Sequence, residues 1–185
     1  MSEMPRGTWI RKRALKLSNR YDWSYDEMFL LCQECERFFL QSPAERYFSH
    51  EVPVVFTDGA CLSNGNEGAK AGWGVAIGTH RSDQFDSSFS GNERRTNQRA
   101  ELLGVNGGMH WGIYKIRAET PTDQCWVDAQ FNALVIATDS EYAVKGLTEW
   151  LPEWKENNFR TSTGRRPQNE SIFRNLDNEL TRKEG

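Results

Sequence analysis

Two stretches end alike: residues 52–58, VPVVFTD, and residues 133–139, ALVIATD. The first is rich in β-branched residues, which suit a pleated backbone. In a strand, Val54, Phe56 and Asp58 share one face, and Val55 and Thr57 share the other. The second stretch is apolar throughout, as expected of a strand buried on both faces. Each run finishes in an aspartate, Asp58 or Asp139. If the two strands are parallel neighbours, these carboxylates sit side by side at the strands' carboxyl ends. Open α/β sheets place their sites there.

The residues between support that arrangement. Gly59 to Gly68 has the composition of a loop. Residues 72–78, GWGVAIG, read as a second strand and 85–90 as a third, and their short connections make them antiparallel neighbours. Thr96-Asn97 opens a helix. From Gln98 to Ile116, Leu102, Val105, Met109, Ile113 and Ile116 recur at helical spacing. Gly104, Gly107 and Gly108 each weaken a helix by up to about 1 kcal/mol relative to Ala, so something must pack closely against them. A helix here lets the fourth strand return parallel to the first. Residues 117–132 read as a loop. Ser140 caps a further helix bearing Tyr142, Val144, Leu147, Trp150, Leu151 and Trp154, kinked or restarted at Pro152. A polar loop, 157–170, precedes a last amphipathic helix over 171–182. The fold class predicted is α/β: a mixed sheet of three antiparallel strands and a parallel fourth, with helices on both faces.

Residues 1–50 differ from the rest. The first twenty hold Arg6, Arg11, Lys12, Arg13, Lys16 and Arg20 against only Glu3. A basic arm without fixed structure is expected, with an organelle presequence or nuclear signal as the alternatives. Tyr21 to Tyr47 is expected to form a short helix or two. Cys32-x-x-Cys35 has the spacing of half a zinc site, and His50 offers a third ligand. One pair without a second is a weak pattern, and two cysteines on a helix face are expected instead. No apolar run approaches the roughly 18 residues of a membrane span, and no secretory signal is visible. The expectation is an intracellular monomer with no membrane partner, its compartment (nucleus, cytoplasm or mitochondrion) left open.

Glu101 lies on the first turn of the long helix, where it can reach the place shared by Asp58 and Asp139. Three converging carboxylates stay ionised together only if a cation offsets them. Their hard oxygens suit Mg²⁺ or Mn²⁺. Two such ions can activate a water on one side of a phosphodiester and stabilise the leaving oxygen on the other. Spacing alone leaves three unrelated surface acids as the alternative. The net charge of −3 gives no general attraction for a polyanion, so local charge must supply any nucleic-acid binding.

The motifs now assembled are Phe56-Thr57-Asp58-Gly59-Ala60-Cys61 with Ser63-Asn64-Gly65, then Ala71-Gly72-Trp73-Gly74-Val75, Thr96-Asn97-Gln98-Arg99-Ala100-Glu101-Leu102 and Thr138-Asp139-Ser140. After them comes Gly146-Leu147-Thr148-Glu149-Trp150 through Trp154-Lys155 to Phe159-Arg160-Thr161. In this order they resemble ribonuclease H type 1, closest to its eukaryotic branch, over residues 52–182. The resemblance implies metal-dependent endonucleolytic cleavage of the RNA strand of RNA/DNA hybrids. It implies that Asp58, Glu101 and Asp139 hold two Mg²⁺ (or Mn²⁺) ions. Ser63, Asn64, Asn97 and Gln98 would line the groove for RNA 2′-hydroxyls, which amides and hydroxyls can both donate to and accept from. Arg94, Thr96 and Asn169 would form a pocket for a DNA phosphate, and Trp150, Trp154 and Ser162 a channel for the DNA strand. The family's domain ends with one more strand, a His-bearing loop and a helix with a fourth metal-binding Asp. Nothing from Thr181 to Gly185 matches these. Residues 51–185 are therefore read as a C-terminally incomplete domain after an extension of residues 1–50. A hybrid-binding relative with impaired catalysis is the alternative function.

Overall fold

The computed structural model describes residues 28–41, 50, 52–118 and 134–181. The basic arm and most of the loop after the long helix lie outside these residues.

The first long strand, β3 (Val54–Leu62), pairs antiparallel with β4 (Lys70–Ala76), which pairs antiparallel with β5 (Gln84–Ser88). The fourth strand, β6 (Val135–Ala137), runs parallel to β3 in the register Val54↔Val135, Val55↔Ile136 and Phe56↔Ala137. The order across the sheet is β5-β4-β3-β6, as the sequence predicts.

The strand bounds shift by a few residues from the reading of the sequence, and two differences matter most. β3 continues through Gly59 to Leu62, because each of these residues has a partner between Lys70 and Trp73. Cross-strand pairing overrides the loop-like composition there. β6 is only partly buried rather than buried on both faces. Among the described strands it has β3 as its one neighbour.

The long helix, α1 (Asn97–Ala118), crosses β3 and β4. Its glycines are the reason it can lie so close. A methyl group on Gly108 would stand 2.5 Å from the Thr57 methyl, and one on Gly107 would stand 2.1 Å from the Trp73 ring. On Gly104 it would come within 2.9 Å of the Asp58 carbonyl oxygen. Conversely, a methyl on Gly59 of β3 would meet the Ala100 carbonyl carbon at 2.2 Å. Strand and helix backbones are thus in direct contact, with no room for a side chain on either side.

Three short segments follow β6: α2 (Glu141–Lys145), a wide π turn (Gly146–Trp150) and α3 (Leu151–Glu156). Pro152 falls in the first turn of α3, where its missing N–H breaks no helical bond. The last helix, α4 (Glu170–Thr181), completes the described chain. Leu102, Val105 and Met109 of α1 meet Ala143, Leu151, Trp154, Ile172, Phe173 and Leu176 in one core. Full burial of each large side chain stabilises the fold by about 1.5–3 kcal/mol. A second cluster, Val55, Val75 and Ile77, lies between the sheet and Trp111 of α1.

The other face of β3 is covered differently. Where the sequence suggests helix, Phe29–Leu31 (β1) and Phe38–Leu40 (β2) form a hairpin, while residues 21–27 and 42–47 of that stretch lie outside the described residues. The Glu36 N–H donates to the Cys32 carbonyl at 2.9 Å, the Cys32 N–H donates to the Arg37 carbonyl at 3.0 Å, and Glu36 takes a left-handed φ of 51°. Phe29 and Phe38 set their rings edge-on against Phe56, with centroids 5.2 and 5.1 Å away. The hairpin turn brings these two rings, nine residues apart in sequence, onto one partner. The Phe38 N–H donates to the Ile77 carbonyl at 2.9 Å and the Leu40 N–H to the Val52 carbonyl at 2.8 Å. Arg37 also donates through Nε and Nη2 to the two oxygens of buried Asp83, both at 2.9 Å, and Lys115 of α1 stands 3.4 Å from the same carboxylate.

These contacts generate two expectations. Gly59→Ala should lower the unfolding free energy by at least about 2 kcal/mol in urea titration, because overpacking against backbone has no flexible side chain to yield. An unchanged midpoint would show that strand and helix can separate at no cost. Asp83→Ala should cost about 3–5 kcal/mol, since it leaves the buried Arg37 guanidinium without its carboxylate. A loss below about 1 kcal/mol in the same titration would place this pair with exposed ones.

Candidate active site

The site lies where β3, the start of α1 and the end of β6 meet. Phe56 and Ala137 are paired in the parallel register. Asp58 and Asp139 each follow two residues later, so both leave the same end of the sheet. The Thr57 hydroxyl reaches across to the Ala137 carbonyl at 3.5 Å. The Gly59 contact brings the Ala100–Glu101 peptide down onto this end, and Glu101 arrives with it.

Neutral donors hold Glu101. Asn97 Nδ2 donates to Oε1 at 2.7 Å and the Ser140 hydroxyl donates to Oε2 at 2.5 Å. The same Ser140 oxygen accepts from the Ala143 N–H at 3.1 Å, capping α2 as the sequence predicts. Asp58 is exposed, and its Oδ1 accepts from the Gly59 N–H at 2.7 Å. Among the described residues no lysine or arginine pairs with any of the three acids. The carboxylates do not gather as closely as one ion would draw them. Only one described trio brings a ligand atom each within 4.8 Å of one another, and it is Cys32, Cys35 and His50. The acids share an end of the sheet by backbone register, without one oxygen from each coming within 4.8 Å of the other two.

The groove residues surround this point. Ser63 takes φ 57° in the exposed turn after β3. Asn64 Oδ1 accepts from the Asn97 N–H at 3.0 Å, and the Gly65 N–H donates to the Arg95 carbonyl at 2.9 Å. The loop after β3 is thereby pinned to the first turn of α1, with Gln98 exposed beside it.

A separate open recess of about 550 Å³ is lined by Arg94, Arg99, Gln168, Asn169, Glu170, Ser171 and Arg174. The structure therefore unites Arg94 and Asn169 as predicted, but Thr96 is not in the lining. Thr96 is buried, and its hydroxyl accepts from the Arg99 N–H at 3.3 Å, which makes it the helix cap. Arg99 and Arg174 were not singled out by spacing, because they come from α1 and α4 and meet only in the fold. Asn169 Nδ2 donates to the Tyr142 hydroxyl at 3.3 Å. Burial pushes the Tyr142 phenol above its ordinary pKa, the Asn169 bond draws it down, and the nearby Glu101 carboxylate raises it again. Tyr142 thus lies between the recess and the acids.

The tryptophans divide. Trp154 is 8% exposed and stands edge-on to Phe173 at 5.1 Å. It belongs to the core and supports the surface from beneath, with little of its own surface open. Trp150 is partly exposed, 6.0 Å from Trp154 and 5.5 Å from Tyr142. Ser162 lies exposed in the turn that follows α3.

With the geometry in place, comparison with known proteins gives a consistent picture. The family model described as RNase H matches residues 50–184. Ribonuclease H1 of Rattus norvegicus is 36% identical over 149 residues, covering 80% of this chain and 46% of the relative. Ribonuclease H of Schizosaccharomyces pombe is 36% identical over 124 residues, covering 67% and 38%. Ribonuclease H of Bordetella avium is 34% identical over 136 residues, covering 72% and 74%. The chain spans less than half the length of the rat and yeast relatives. Among solved structures, the foamy viral protease-reverse transcriptase in complex with RNA/DNA hybrid aligns with a TM-score of 0.53 at 19% identity, covering 77% of this chain and 18% of that one. Its complex with dsDNA aligns at 0.50 with 21% identity, covering 71% and 75%. These structures share the fold. The family match over most of the chain, together with the parallel β3–β6 register that carries two aspartates to one end of the sheet, makes this chain a member of the ribonuclease H family.

Proposed function

We propose that this chain binds RNA/DNA hybrids and cuts the RNA strand internally, using two divalent cations held by Asp58, Glu101 and Asp139. The observation that supports the reading is the Phe56↔Ala137 register combined with the Gly59 contact, which bring the backbones of three acids from three elements to one end of the sheet. The donor set fits Mg²⁺ or Mn²⁺: three hard carboxylates with no cationic side chain beside them among the described residues. Oxygens too dispersed for one ion remain compatible with two, which stand about 3.5–4 Å apart in such sites. When bound, the ions supply a more acidic water and offset charge on the leaving oxygen.

The chain's own residues do the rest. Asn97 and Ser140 hold both oxygens of Glu101, so its carboxylate is fixed in orientation. Asn64, Asn97, Gln98 and Ser63 offer amide and hydroxyl groups suited to ribose 2′-hydroxyls, the feature that tells RNA from DNA. The recess with Arg94, Arg99, Arg174 and Asn169 suits a phosphate of the DNA strand. In the reaction, water adds to phosphorus and the bond to O3′ breaks. The products are a 5′-phosphate and a 3′-hydroxyl.

The test is a hybrid duplex with labelled RNA, incubated with the chain and Mg²⁺. Internal cuts that disappear in Asp139→Asn, with a rate fall of at least about 100-fold, are expected. Equal turnover in that variant would defeat the carboxylate assignment. Hybrid binding with no cut products from the unaltered chain would leave a binding module instead. Separately, Arg94→Ala should weaken hybrid binding by roughly 1.5–3 kcal/mol and flatten its salt dependence. An unchanged Kd across salt concentrations would remove the recess from the binding surface.

A further inference from the structure

One cluster of ligand atoms has no part in the reading above. Cys32 and Cys35 flank the turn between β1 and β2, and both are buried, at 7% and 4% exposure. His50 precedes β3. The three residues each place a ligand atom within 4.8 Å of the others. They are far apart from the acids in role and origin: the cysteines lie outside the residues that the RNase H family model matches, and His50 stands at its first position.

We propose that Cys32, Cys35 and His50 bind a zinc ion that clips the N-terminal hairpin to the sheet. Zinc lies about 2.3 Å from thiolate sulfur and 2.0–2.1 Å from imidazole nitrogen. In a tetrahedron those bonds put neighbouring ligand atoms about 3.5–3.8 Å apart, so the observed trio needs movements of about an ångström or less to close on an ion. Two soft thiolates and an imidazole select zinc over Mg²⁺ or Ca²⁺.

The backbone explains why the three residues meet. The Glu36 N–H bonds back to the Cys32 carbonyl, folding the turn so that Cys32 and Cys35 face one point. Phe39, four residues after Cys35, is bridged to Pro53, three residues after His50. That bridge brings the segment holding His50 beside the turn that carries the cysteines. The Phe39 ring then stands edge-on to the imidazole, centroids 4.5 Å apart, and limits its rotation. Glu34 lies between the cysteines in the turn.

The ion would be structural. Binding an ion only in the folded state adds its binding free energy to the hairpin's stability. The hairpin in turn covers Phe56, whose neighbours Thr57 and Asp58 lead into the candidate active site.

The test uses the full chain, purified under reducing conditions without chelator. Elemental analysis should find one zinc per chain, and Co²⁺ substitution should produce the thiolate-to-cobalt charge-transfer band of a tetrahedral site. Cys35→Ser and His50→Ala should each weaken metal affinity by more than about 100-fold, beyond what outer partners contribute, while Cys61→Ser should retain the ion. Zinc-free protein that gives no cobalt band would overturn the proposal. So would affinity unaltered in Cys35→Ser, or an unreduced chain whose mass shows Cys32 and Cys35 joined as a disulfide. If the variants do not fold, the stoichiometry and cobalt spectrum of the unaltered chain decide the matter.

Discussion

Everything at the candidate active site depends on the contact between two backbones. β3 and α1 touch at Gly59 and Gly104 with no side chain between them. Layers of secondary structure normally pack through side chains that fill the gap between them. Here that side-chain layer is missing at Gly59 and Gly104. The helix sits deep enough for Glu101 to share the sheet's end with Asp58. The glycines weaken α1 as an isolated helix. Close packing against Thr57, Trp73 and Asp58 offsets that weakness once the sheet is present.

The chain then fixes Glu101 without neutralising it. Asn97 and Ser140 are uncharged donors, and each has a second task. The Asn97 N–H holds the loop after β3, and Ser140 caps α2. Orientation of the acid is therefore tied to the start of two helices and to the loop of the groove. Any shift of α2 relative to α1 moves Glu101. Tyr142 extends this linkage through Asn169 to the basic recess.

The opposite face of β3 depends on a different kind of contact. Aromatic edges from the hairpin cover Phe56, and the Arg37–Asp83 fork joins hairpin, sheet and α1. A buried ion pair adds little net stability over an apolar substitute, yet breaking it is costly. Its directional geometry adds a fixed register to a hairpin held otherwise by apolar contacts.

The sequence by itself determined the sheet order, the span of α1, the cap at Ser140 and the three acids. All of these rest on local signals: period-two and period-3.6 patterns, β-branched runs and cap residues, together with motifs close enough to a known family to be recognised. The need for close packing at Gly104, Gly107 and Gly108 was legible too, because glycine in a helix is unfavourable without compensation. Only the tertiary structure decided the remainder. Phe29–Leu40 looks helical by composition but forms a hairpin, since Phe29 and Phe38 find a partner in Phe56 that lies far along the chain. Gly59–Leu62 became strand because β4 supplies a partner for each residue. Trp154 went to the core because Phe173 packs against it. Thr96 became a cap while Arg99 and Arg174 joined the recess. In each case the deciding contact is non-local, and no periodicity in a short stretch encodes the partner it will meet.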